Sequence, residues 1–189
     1  RHNRRYLCYI FQFGFAQGVI FANIASAPFI MQQHYGFSPL MFSVFFGVNA
    51  IAIVISATYA SRFAHPEKAL YRGSLGMVIV SFFLMIALCL DCNFWIYEIL
   101  LIGLLSMIGL TFTSSNTLAL DCERSNAGVA SALLGALGFA FGGIVSPIVG
   151  LGNIMVTTGI TFFIGSVFSL SFTYMALHRA FYMAKYYKR

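Results

Sequence analysis

The sequence predicts an all-α membrane protein of six transmembrane helices arranged as two three-helix repeats. Three observations carry that prediction. Of 189 residues, 60% are hydrophobic and only 8% charged, against about 25% charged in a soluble domain. Six stretches are long and apolar enough to cross a hydrocarbon core of about 30 Å as helices, and they fall at residues 6–31, 39–63, 69–90, 94–120, 126–151 and 156–183. All eleven Lys and Arg residues lie on one side of the resulting topology. Strand barrels are excluded, because the runs lack alternation and are too long for tilted strands. The chain opens on Arg1 rather than Met and reads as a piece of a longer protein, with no signal-peptide pattern.

With six spans, the N-terminus, the second–third loop, the fourth–fifth loop and the C-terminus share a side. They hold Arg1, Arg4 and Arg5; Arg62, Lys68 and Arg72; Arg124; and Arg179, Lys185, Lys188 and Arg189. The opposite loops, 32–38, 91–93 and 152–155, hold no Lys or Arg. The positive-inside rule therefore predicts that both termini are cytoplasmic. The same placement accounts for the net charge of +6 through anionic lipid headgroups, without nucleic acid. The four cysteines form no framework; the Cys89–Cys92 pair has metal or redox spacing but no second pair or nearby His.

The first helix carries Gln12, Ala16, Val19, Asn23 and Ser26 at steps of three and four, which is one helical face. An amide at membrane depth must face protein or water. The stripe either lines a ligand path or ties helices together, and at Asn23 the two readings balance. The second helix places Asn49 and Ser56 on one face, with Phe42, Phe45 and Phe46 nearby as an aromatic wall. The third helix has serines but neither amide nor charge within its apolar stretch, and reads as lipid-facing.

In the fourth helix Glu98 is the acidic residue clearly inside a span. It shares a face with Ser106, Gly109, Thr113 and Asn116, since 98 to 116 is about five turns. An intramembrane carboxylate is a candidate for proton coupling or cation recognition; the alternative is that Glu98 reaches headgroups beside the interfacial anchors Trp95 and Tyr97. The fifth helix repeats Gly128, Ser131, Gly135, Gly138, Gly142 and Ser146, a small-residue packing face. The sixth, rich in Phe, Ile and hydroxyls, again reads as lipid-facing. Two inward-type helices and one lipid-type helix, twice over, is the pattern of two three-helix repeats.

Two stretches resemble the major facilitator superfamily, specifically its Bcr/CflA-type multidrug resistance transporters. SAPFIMQQHYGFSPLMFSVFFGVNA at 26–50 is similar to that family's exit from helix seven, and NAGVASALLGALGFAFGG at 126–143 to its start of helix eleven. The resemblance implies that the chain is the C-terminal half, helices seven to twelve. It further implies drug/proton antiport across the bacterial inner membrane, exporting small apolar compounds through a cavity shared with an N-terminal six-helix half. That missing half and protons would be partners, along with the lipid bilayer. Expected substrate-binding residues are Asn23, Asn49, Ser106, Thr113 and Asn116, with Glu98 for proton or cation coupling. No catalytic residue, metal or cofactor is expected, and no enzyme.

The rival readings are a self-associating module without transport and an intramembrane hydrolase. The hydrolase needs a serine with a base at membrane depth. All four histidines sit in loops or at helix ends, and no Gly-x-Ser-Gly run occurs.

Overall fold

The computed structural model describes residues 4–186, with side chains as far as His178. Of the basic residues used for topology, Arg1, Lys188 and Arg189 lie outside the described residues, as do the side chains of Arg179 and Lys185. The described chain is helical: α1 (Arg4–Pro28), α2 (Pro39–Ala60), α3 (Pro66–Cys89), α4 (Phe94–Cys122), α5 (Ala127–Ile148) and α6 (Ile154–Tyr186). All six elements are long and apolar enough to cross a membrane, and the protein is a multi-pass membrane protein.

Local chemistry sets the ends. Ser38 caps α2 by accepting from the Met41 N–H at 3.3 Å, and Pro39 supplies the first helical φ. Asn93 caps α4 by accepting from the Trp95 N–H at 3.0 Å, and Asn153 caps α6 by accepting from the Met155 N–H at 3.0 Å. At the end of α3, Asp91 takes a left-handed φ of 53°. The Cys92 N–H then reaches the Ala87 carbonyl and the Asp91 N–H the Leu88 carbonyl. These are the two bonds of a Schellman cap, so the Cys89–Cys92 spacing belongs to a helix end.

One irregularity was not expected. After Pro28, α1 widens into a π-helical turn, Phe29–His34, before the chain turns at Gly36 with φ 72°. Proline has no N–H to give and crowds the preceding turn, and a π turn is one way of absorbing that mismatch.

The packing is twofold. α1 packs on α5 and α6, and α4 on α2 and α3 in the corresponding way; α1 meets α4 and α3 meets α6. Exchanging α1 with α4, α2 with α5 and α3 with α6 reproduces the same set of neighbours, as two three-helix repeats require. The core runs through α1, α3, α4 and α6, with Tyr9, Met77, Leu84, Leu101, Ile108 and Phe162 fully buried.

The third and sixth helices combine an outward apolar side with an inward polar seam. Each shows an outward apolar side, with Phe82, Phe83, Ile164 and Phe168 exposed. Yet their serines and threonines form a seam, where Ser74 and Thr173 share a hydrogen bond of 2.9 Å. The most exposed helix is instead α2, whose buried residues are Asn49 and Ala60. The small-residue face of α5 is likewise only half used. Gly138 lies against Phe13 and Gly142 against Phe21 of α1, while Gly128, Gly135 and Gly143 face open space.

Candidate functional site

The face of α4 read from spacing is real, and α2 covers most of it. A side chain at Gly109 would run into the Ser56 hydroxyl and the Ile53 carbonyl. The absence of a Cβ there is what lets the two helices approach. One turn further on, Thr113 donates to the Ala57 carbonyl at 3.3 Å and to its own helix at Gly109. Thr113 is thus partly committed to the α2–α4 seam. Ser106 is half-buried on the same side, and Asn116 is exposed beyond the seam.

At the other end of the seam stands Glu98, only 3% exposed. Being that far buried, it does not reach solvent or headgroups as the alternative reading of its depth allowed. The Asn49 amide from α2 lies beside its carboxyl. Neither carboxylate oxygen, however, completes a hydrogen bond, and neither does either polar atom of the Asn49 amide. The neighbouring Tyr97 hydroxyl is also buried without a partner. Buried polar groups are nearly always paired, so the Glu98 carboxyl, the Asn49 amide and the Tyr97 hydroxyl set this corner apart from the rest of the core.

Aromatic rings close this corner from outside. Phe94 contacts Phe37 at 4.4 Å and Phe45 at 4.8 Å, and Tyr35 meets Tyr97 at 5.9 Å. Of the aromatic wall expected on α2, Phe45 takes part, and Phe42 meets Phe46 with the rings tilted by 39°. Trp95 is 63% exposed, as an interfacial anchor would be, whereas Tyr97 is fully buried and belongs to the site. Helical residues two apart point about 160° away from each other, so one of the pair must turn inward, and the sequence alone does not say which.

Asn23 is buried on α1 with an unpaired Oδ1 and makes no hydrogen bond to Asn49 or Glu98. The rest of its stripe serves packing: Gln12 donates to the Ser169 hydroxyl of α6 at 3.1 Å, and Val19 sits against Gly165. The structure therefore joins Asn49, Glu98, Ser106 and Thr113 along one seam and leaves Asn23 and Asn116 apart from it.

A clasp where α1, α3 and α4 meet at the end opposite the basic loops is added by contacts that sequence reading missed. His34 pairs with Asp91 through Nε2 at 2.6 Å, and the Tyr35 hydroxyl donates to the Cys92 carbonyl at 2.8 Å. Burial, then the contact with Cys92, raises the Tyr35 phenol above its ordinary range. Among the described residues, no cluster of His, Cys, Asp and Glu is suited to a metal.

Two relatives cover most of the chain. It is 34% identical over 159 residues, 79% of its length, to the uncharacterised MFS-type transporter YdgK of Bacillus subtilis. It is 30% identical over 149 residues, 76% of its length, to a bicyclomycin resistance protein homolog of Haemophilus influenzae. The chain spans a little over a third of each relative, 38% and 37% respectively. No family model matches the chain. No solved structure matches it. With six membrane-length helices in two packed repeats, and relatives of this kind over three quarters of its length, the chain belongs with the major facilitator-type transporters related to the bicyclomycin resistance proteins.

Proposed function

We propose that this chain is the C-terminal half of a drug/proton antiporter that exports small apolar compounds across a bacterial inner membrane. The observation that carries the proposal is the buried, unpartnered Glu98 carboxyl beside the Asn49 amide. An ionised carboxylate in such a place is costly, and a proton taken up there removes the charge. Glu98 is therefore the proposed coupling acid. Asn49, Ser106 and Thr113 line the same seam, while Asn23 and Asn116 stand apart from it; in this reading the five orient a mainly apolar ligand.

The exposed apolar flanks of α2 and α5 fit a second six-helix half seated there, with the cavity between the two. Opening of the α2–α4 seam would expose Glu98 and Asn49 to that cavity as the halves rock.

The test is efflux from proteoliposomes holding the full-length transporter under an imposed pH gradient. Glu98→Gln is expected to reduce gradient-driven export of an apolar fluorescent drug by at least about tenfold while drug binding persists. Undiminished export by that variant would remove Glu98 from coupling.

A second reading, a self-associating module without transport, draws on the open small-residue side of α5 at Gly128, Gly135 and Gly143. Stable dimers lost on Gly135→Leu, together with no ligand-dependent stabilisation, would favour it.

A further inference from the structure

On α4, Phe94 precedes Glu98 by one turn, and on α2, Phe45 precedes Asn49 by one turn. Residues four apart share a helix face. A pair of rings therefore lies beside the polar pair, on the side toward the end of the bundle opposite the basic loops. The two rings meet edge to face at 4.8 Å. A third ring joins both. Phe37, on the turn that links the π turn to α2, meets Phe94 edge to face at 4.4 Å and stacks on Phe45 at 5.6 Å. Edge-to-face and offset-stacked contacts of this kind are the favourable aromatic arrangements.

We propose that Phe37, Phe45 and Phe94 form a hydrophobic plug that keeps water and ions from Glu98 and Asn49, with Phe37 as its movable ring. Phe45 and Phe94 are fixed within helices. Phe37 is carried by a lid, residues 34–38, that begins after the fully buried Ile30 and Met31. Beside it Gly36 has φ 72°, and a side chain there would meet nothing within 4 Å, so this backbone turns in open space. Few polar contacts pin the lid. The Tyr35 hydroxyl donates to the Cys92 carbonyl at 2.8 Å, His34 meets Asp91 at 2.6 Å, and the Phe37 N–H donates to the Met31 carbonyl at 3.0 Å.

An apolar constriction excludes water until it widens. The unpartnered oxygens of Glu98 are the groups that an opening would hydrate. The α2–α4 seam faces the proposed transport cavity, whereas this plug closes a second approach, from the end of the bundle. The lid deepens the reading of the Glu98 site without depending on proton coupling: labelling reads access to position 98, and export reads coupling, so either can fail alone.

The test uses the full-length transporter in nanodiscs, where a soluble reagent reaches both faces, with the native cysteines replaced by serine. Glu98→Cys is labelled with a water-soluble cationic methanethiosulfonate. Labelling is expected to be slow with the plug intact and at least about tenfold faster when Phe37→Ala removes two ring contacts. Tyr35→Phe combined with Asp91→Asn unpins the lid and leaves the three rings in place, and asparagine tolerates the left-handed backbone at that position. This second variant is expected to speed labelling about fivefold. Ser115→Cys, buried toward the other end of α4, reports the fold and is expected to keep its rate in both backgrounds. An unchanged rate at Glu98→Cys in either background overturns the proposal. So does an equal acceleration at Ser115→Cys, which would mean that the whole bundle has loosened rather than a lid opened.

Discussion

Glu98 and Gln12 are both polar residues buried at membrane depth, and they have opposite energetic signs. Gln12 spends its Nε2 donor on Ser169, a helix-to-helix bond of the kind that averages about 0.6 kcal/mol in membrane proteins. Gln12→Leu is therefore expected to lower stability modestly, by about 0.5–1 kcal/mol, in a reversible unfolding assay. Glu98 has no completed hydrogen bond, so Glu98→Leu is expected to raise the unfolding midpoint while abolishing coupled transport, the usual trade at a functional site. A lowered midpoint would mean that the carboxyl has a structural partner. Tyr35→Phe is expected to cost about 1 kcal/mol through the lost bond to the Cys92 carbonyl. Because burial raises the Tyr35 phenol above its ordinary range, the folded state holds that proton more tightly than the unfolded one. The contribution is then constant below about pH 10 and falls only as pH rises through the unfolded value. Unfolding of wild type and Tyr35→Phe compared at pH 6 and pH 9 should give the same difference.

At the scale of elements, period and capping chemistry were readable while partners were not. Residues 98, 106, 109, 113 and 116 lie on one face by spacing alone, and the structure keeps them there. That the α2 backbone presses on Gly109 depends on where two helices cross, which a 3.6-residue period does not encode. The same limit applies to the third and sixth helices, whose pairing with each other no spacing announces. Several do bond their own backbone, but Ser74 and Thr173 bond each other. The π turn that follows Pro28 was not readable, since a proline mismatch can relax in several ways. Gly109→Val tests the seam. It overpacks the α2–α4 contact and is expected to destabilise by about 1–3 kcal/mol. Gly128→Val faces open space and is expected to fall within about 0.5 kcal/mol of wild type.

For the whole molecule, charge distribution and the twofold packing combine into a claim about orientation. Each three-helix repeat crosses the membrane an odd number of times, so the second repeat enters inverted relative to the first. The short turns at 35–38, 91–93 and 149–153 then share one end of the bundle, and the loops bearing Arg62, Lys68 and Arg124 share the other. The bias in Lys and Arg predicts that the second end is cytoplasmic. Arg124 is well placed to report that end, because its side chain is 80% exposed even while paired to Asp121. Leu151, 72% exposed, reports the other. Cys89 is itself exposed and would obscure the signal, so the four native cysteines are first replaced by serine. In intact cells Leu151→Cys is expected to react with an impermeant thiol reagent, and Arg124→Cys only after the membrane is permeabilised. The reverse pattern would invert the orientation of all six helices.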